Sequence, residues 1–343
     1  MPFFSIIVPV YNKINYLKRG LNCLLSQSFK DYEIILIDDG SCDGSSILCD
    51  QYAVQYPQIQ LFHQLNAGGG QARNTGLVNA KGKFICFFDI DDTVGKNWLD
   101  IIYKNLCETL PEILVYGYRE INVKYKTSND YSFNNIELES NKEIGQKFID
   151  YLSGIHFNNG FIWNKVYKKD FLLKNELKFP STKIQHDELF NHQVYRYVHH
   201  IKFIEDILYN YYIYETGNIR ANFIPERLEI FKHVKHSLKT LSEFWQIKDE
   251  RLIEYNNHRF LNNVFFNKES KLLIKERKAY LQKSMTDEEV ILTICEILRK
   301  KERLDFIFKI YCKLYLKKDI NKLLIIETLL QRARKIKQKI KCH

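Results

Sequence analysis

The feature that most restricts the fold is an alternation in the first 120 residues. Apolar runs (FFSIIVPV, YEIILIDDG, IQLFHQ, FICFFDID and EILVYGYREI) are separated by segments with helical spacing. Those segments lie at about residues 14–28 and 43–56, in GQARNTGLVNA, and in NWLDIIYKNLCE. Near-continuous apolar strands separated by helices predict an α/β fold: a mostly parallel sheet with helices on both faces. Ligands of such sheets bind beyond the carboxyl ends of the strands. Polar residues gather there: strand one runs into VYN, strand two into DDGS and strand four into DIDD.

The last of these crowds Asp89, Asp91 and Asp92 together. Turn chemistry accounts for one aspartate at a strand end, but three close carboxylates raise one another's pKa. A divalent cation is the simplest group to neutralise them, so the cluster reads either as a turn or as a metal site. Several nucleotide-binding designs are excluded. There is no GxxxxGKS, and the first turn, PVYNK, lacks glycine. That removes a P-loop and a dinucleotide fingerprint, and counts against a nucleotidyltransferase. NAGGGQARN follows strand three and ends in Arg73. It is either a flexible loop entering a helix or a loop beside a diphosphate, offering backbone N–H groups and Arg73.

Four motifs, VPVYN (8–12), IDDGSCDGS (37–45), NAGGGQARNTGL (66–77) and FFDIDD (87–92), stand in the order and spacing of family 2 glycosyltransferases with the GT-A fold. WNKVYKKDFL (163–172) and HDELFNHQVY (186–195) also resemble that family, so the likeness covers about residues 3–215. It implies a GT-A domain over residues 1–222, with a nucleotide-sugar half (1–120) and an acceptor half (121–222). The implied activity is metal-dependent, inverting transfer of a hexose or N-acetylhexosamine. The donor would be a nucleotide-sugar, UDP-linked by family expectation. The acceptor would be a lipid-linked or growing surface glycan, as in capsule, O-antigen or lipooligosaccharide assembly.

The resemblance also implies roles. Pro9, Val10, Tyr11 and Asp39 would hold the nucleotide, with Asp39 accepting from uracil or ribose. Arg73 would lie near the base or diphosphate, and Asp89 with Ile90 at the ribose or donor sugar. Asp91 would ligate Mn²⁺ or Mg²⁺. Asp92 either joins the acceptor pocket or hydrogen-bonds locally. Asp187 would be the general base that takes the acceptor's proton. The residue before it is His186, where the family has glutamate, a departure that bears on the acceptor side. Trp163 and Asn164 either line the sugar pocket or pack in the core.

The remainder, 223–343, reads as helical. Leu228, Phe231, Val234, Leu238, Leu241 and Trp245 recur every three or four residues. TDEE at residues 286–289 looks like a capping box. The chain carries +10 overall, and residues 301–343 hold 13 Lys and Arg against 4 Asp and Glu. This segment either contacts an anionic membrane or is a solvated helix face. No basic and aromatic platform accompanies the charge, so nucleic-acid binding is disfavoured. The 8 cysteines are scattered without a CxxC pair, which suits a reducing compartment. The N-terminus lacks a basic leader pattern, and no apolar run reaches about 18 residues. A cytoplasmic chain, peripheral on the inner face of the plasma membrane, is the expectation. A degenerate sugar-binding or scaffolding subunit is the non-enzymatic alternative, and the presence of Asp39, Asp89, Asp91 and Asp187 counts against it.

Overall fold

The computed structural model describes residues 1–152, 160–214, 223–266, 274–300 and 305–340. The first half runs β1 (Phe4–Val10), α1 (Ile14–Leu25), β2 (Tyr32–Asp38), α2 (Ser45–Gln55), β3 (Ile59–His63), α3 (Gly69–Asn79), β4 (Phe84–Phe87), β5 (Thr93–Val94) and α4 (Trp98–Thr109). It continues through β6 (Ile113–Asn122), β7 (Thr127–Tyr131), β8 (Ile136–Leu138), α5 (Asn141–Leu152), β9 (Lys165–Lys168), α6 (Lys169–Lys174), α7 (His186–Tyr197) and β10 (Ile201–Ile213). Helices follow: α8 (Arg227–Phe244), α9 (Glu250–Phe265), α10 (Ile274–Thr286), α11 (Glu288–Arg299), α12 (Phe306–Leu316) and α13 (Ile320–Ile340).

The strands form one sheet in the order β3-β2-β1-β4-β9-β6-β10-β5, with β7 on β6 and β8 on β10. Strands β3, β2, β1 and β4 are mutually parallel, as the alternating pattern predicts. Between β4 and β6 lies β9, antiparallel to both. β6 and β10 are again parallel. The sheet is therefore mixed around a parallel half, a GT-A-like arrangement followed by a helical C-terminal region.

Alternation along β1 builds two cores. Phe4, Ile6, Val8 and Val10 pack with Leu17, Leu21 and Leu24 of α1 and with Trp98, Ile102 and Leu106 of α4. Ile7, on the opposite face, meets α3. A Cβ on Gly76 would stand 2.3 Å from Ile7 Cγ2, so only glycine lets α3 lie this close to the strand. Burial on both faces is why these strands read as unbroken apolar runs.

Contacts divide the chain into two compact units: Met1–Asn218 with Ser237–Lys248, and Ile219–His236 with Asp249–His343. The expected boundary at residue 222 lies outside the described residues. The periodic helix at 227–244 was expected to belong wholly to the C-terminal region, yet its end packs in the first unit. There Trp245 lies 5.1 Å from the Phe148 ring, and Ser237 Oγ is 3.0 Å from His192 Nδ1. In the second unit Phe265 packs against Tyr315 at 4.5 Å. A helix does begin at the TDEE segment, but Asp287 caps it, accepting from the Val290 N–H at 3.2 Å. Thr286 instead ends α10, its hydroxyl bonded back to the Gln282 carbonyl.

Candidate active site

The carboxyl ends of β1, β2 and β4 bring three turns together. Asn12 ties the first turn to the second, its Oδ1 accepting from the Cys42 N–H at 2.8 Å. Pro9 is half-buried, Val10 buried and Tyr11 exposed. Asp38 accepts from the Ser41 N–H at 3.1 Å and lies 3.0 Å from His63 Nδ1. Burial pushes its carboxyl up, and the hydrogen bonds from Ser41 and His63 outweigh that, holding it below the usual value. Asp39 is 3% exposed. Its oxygens accept from Gln64 Nε2 at 2.7 Å, the Ala67 N–H at 2.9 Å and the Gly68 N–H at 2.9 Å. In this state Asp39 thus organises the glycine-rich loop.

The three crowded aspartates have three different environments. Asp89 accepts from Arg73 Nη2 at 2.7 Å. Burial raises its carboxyl's pKa, Arg73 opposes this, and Asp91 and Asp187 add to it. Asp91 accepts from Lys13 Nζ at 2.5 Å, and its backbone carbonyl accepts from Arg19. Asp92 is 2% exposed; its oxygens accept from the Tyr209 hydroxyl and the Tyr212 N–H, both at 2.9 Å. Burial, then the charges of Asp91 and Asp89, push its carboxyl well above the ordinary range. Ile90 turns into the core, where a Cβ on Gly20 would meet its carbonyl oxygen at 2.3 Å. The carboxylates coexist because an arginine, a lysine and burial each handle one.

Arg73, on α3, reaches a third region. Its Nη1 lies 3.2 Å from Asp187 Oδ1 and 3.0 Å from His186 Nε2. Both residues open α7, after Gln185 in the left-handed region at φ +63°. Gly70 permits this approach: a Cβ there would stand 3.3 Å from His186 Cβ. Arginine only donates, so the contact makes His186 Nε2 an acceptor and puts the ring proton on Nδ1, 3.3 Å from the Thr182 carbonyl. Asp187 Oδ1 also lies 3.2 Å from Nε2, so a protonated ring would donate to the carboxylate instead. Asp187 sits in the first turn of α7, where the dipole favours negative charge. Burial works against the Arg73 charge, and Asp187 and Asp89 outweigh it, raising its pKa further.

Trp163 and Asn164 are each 2% exposed and belong to the core. The indole stacks on Tyr209 at 4.5 Å and on Phe161 at 4.4 Å. Asn164 Oδ1 accepts from Lys165 Nζ at 3.0 Å. Lys165 is fully buried, which pulls its ammonium down to about 7, with Asp187's charge opposing. Sequence reasoning missed Lys13, Arg19, Tyr209 and Tyr214. The run YNYYIY and the lysine directly after VPVYN were the available signals.

A divalent cation can be matched to these groups. Among the described residues no cluster of three or more His, Cys, Asp or Glu side chains could cage a metal. A hard cation held by one or two carboxylates plus substrate phosphates needs no such cage. Asp91 suits that role, since its carboxylate is 24% exposed and already faces a cation, Lys13.

The parallel half of the sheet brings its strand ends together on acidic turns, and α7 presents a further carboxylate to them through Arg73. The sequence profile described as "Glycosyl transferase family 2" matches residues 5–171, and the chain belongs to that family and is a glycosyltransferase. Glycosyltransferase GlyG of Streptococcus pneumoniae is 32% identical over 230 residues, covering 64% of this chain and 73% of that protein. The 1–349 segment of S. aureus TarS, crystallised with UDP-GlcNAc, aligns at TM-score 0.64 and 21% identity over 92% of this chain and 90% of that structure. The mannosyltransferase PcManGT of Pyrobaculum calidifontis, in complex with GDP-Man and Mn²⁺, aligns at TM-score 0.51 and 14% identity over 92% of this chain and 84% of that one. The profile match includes the three strand-end turns and ends before α7.

Proposed function

We propose that this enzyme transfers a hexose or N-acetylhexosamine, with inversion, from a UDP-sugar to a hydroxyl of a lipid-linked or growing surface glycan. The observation that carries the reading is the bridge made by Arg73 between Asp89 and Asp187. It joins the donor-side turn to a carboxylate on α7, as a two-substrate transfer requires. The UDP-GlcNAc complex of TarS supports the choice of nucleotide. The Mn²⁺ complex of PcManGT supports a divalent cation at Asp91.

In the proposed reaction Asp187 accepts the acceptor's hydroxyl proton as that oxygen bonds to the anomeric carbon. The bond from that carbon to the diphosphate oxygen breaks, and its electron pair leaves with the nucleoside diphosphate. Attack opposite the leaving group converts an α-linked donor into a β-linked product. When bound at Asp91, Mn²⁺ or Mg²⁺ supplies Lewis-acid neutralisation of the leaving diphosphate. Arg73 contacts Asp187 and Asp89 together, 3.2 Å and 2.7 Å away, and so holds the two carboxylates at a fixed spacing. The basic C-terminal segment would keep the enzyme at an anionic leaflet on the inner face of the plasma membrane, near a lipid-linked acceptor. No described helix is long and apolar enough to cross a membrane.

A panel of UDP-, GDP- and dTDP-sugars, assayed for nucleoside diphosphate release with Mn²⁺ and with EDTA, tests this reading. Release from UDP-sugars in Mn²⁺, lost in EDTA, is expected. Equal turnover in EDTA, or turnover confined to GDP- or dTDP-sugars, would overturn the metal or the nucleotide assignment respectively.

A further inference from the structure

We infer that Lys13 is a built-in counter-cation for Asp91, which the divalent cation must displace, and that the released ammonium then serves the donor's diphosphate. The inference rests on the reading of Asp91 as the metal ligand. Its basis is how differently the neighbouring carboxylates are held. Asp89 is bound to Arg73, whose side chain is 6% exposed and shared with Asp187. Asp92 is packed under Tyr209 and the β10 backbone. Asp91 alone of the three faces a partner that can leave: a lysine on a flexible stem, 31% exposed, with Nζ 2.5 Å from Oδ2.

The rest of the arrangement keeps Asp91 fixed while that partner changes. Arg19 donates to the Asp91 backbone carbonyl and, at 2.7 Å, to the Tyr214 hydroxyl. Its guanidinium lies 4.3 Å from the Tyr212 ring centre. The backbone of Lys13 is anchored as well, its N–H donating to Ser45 Oγ at 2.9 Å. An ammonium on Asp91 Oδ2 and a divalent cation on the same carboxylate repel each other at contact distance, so the two compete. A diphosphate arriving with the metal brings new negative charge that the displaced ammonium can meet without leaving the turn after β1.

Metal and nucleotide binding are then linked: the free enzyme binds the cation weakly, and UDP strengthens that binding by giving Lys13 another partner. Equilibrium titration of Mn²⁺, followed by loss of the free-ion electron paramagnetic resonance signal, reads this without turnover. Lys13→Met should bind Mn²⁺ about 2- to 5-fold more tightly than wild type without UDP, the scale of one partly exposed ion pair. UDP's enhancement of Mn²⁺ affinity should shrink by a similar factor. Lys13→Arg, which keeps the charge, should behave as wild type. Lys13→Gln provides a second neutral variant if Lys13→Met fails to fold. Unchanged or weaker Mn²⁺ affinity in the folded neutral variants, with Asp91→Asn still abolishing binding, would overturn the role of Lys13. Wild-type Mn²⁺ affinity in Asp91→Asn would instead overturn the metal assignment, and this inference with it.

Discussion

Asp92 illustrates how neighbouring residues of one type come to do different work. It shares a turn with Asp89 and Asp91 but is buried, and its carboxyl titrates well above the ordinary range. An acid whose folded pKa is raised binds more protons folded than unfolded. Its favourable contribution is therefore present at low pH and is lost as pH rises from the unfolded value of about 3.9 toward the folded one. Asp92→Asn keeps the shape, the acceptor for Tyr212 N–H and a contact to Tyr209, while removing that loss. The variant should melt roughly 2–4 °C above wild type at pH 7, the size of a change of about 1 kcal/mol in a domain of this class. Its advantage should grow as pH rises above the unfolded value of about 3.9. Thermal melts in which the advantage shrinks as pH rises would contradict this placement. Asp39, for which the likeness to the family implies a nucleotide contact, has oxygens that accept from Gln64, Ala67 and Gly68.

Elements are placed by a few close approaches, and Gly76 is the tightest test of one. Its missing Cβ allows α3 to lie on Ile7, and α3 in turn aims Arg73. Gly76→Ala should destabilise the first unit by about 1–3 kcal/mol, as overpacking does. The urea midpoint should fall, and a midpoint equal to wild type would show that the α3 packing is looser than described. Much of this level could be read in advance. Strands β1 to β4 and helices α1 to α4 follow from apolar runs separated by helical spacing, because burial on both faces leaves an unmistakable pattern. The antiparallel insertion of β9 could not be read, since four residues, KVYK, carry no direction. Nor could the cap of α11, because Thr286 and Asp287 are both good capping residues and the hydroxyl of Thr286 is spent within α10. At the site, the residue types were legible, but their pairing was not. Arg73, Asp89 and Asp187 lie far apart in sequence, and only the fold sets their spacing.

Taken as a whole molecule, the chain joins a sheet-based unit that carries the candidate site to a helical unit that carries most of the charge. Residues 301–343 hold 13 basic against 4 acidic residues. Each basic residue near an anionic leaflet contributes about 1 kcal/mol. Removing residues 331–343 should therefore reduce binding to phosphatidylserine-containing vesicles and make what remains less sensitive to salt. Equal sedimentation of the 343-residue chain with neutral and anionic vesicles would contradict the peripheral-membrane reading. Folding places Asp187 of α7 on the same arginine as Asp89 of the donor-side turn, and its proposed role as the base rests on that placement. Asp187→Asn keeps the side chain's shape and removes its basicity, so the direct test is single-turnover sugar transfer beside equilibrium binding of the donor. The account predicts that transfer falls by about 10²–10⁴-fold, the usual contribution of a positioned general base, while donor affinity changes little. Transfer at the wild-type rate by a folded Asp187→Asn variant would contradict it.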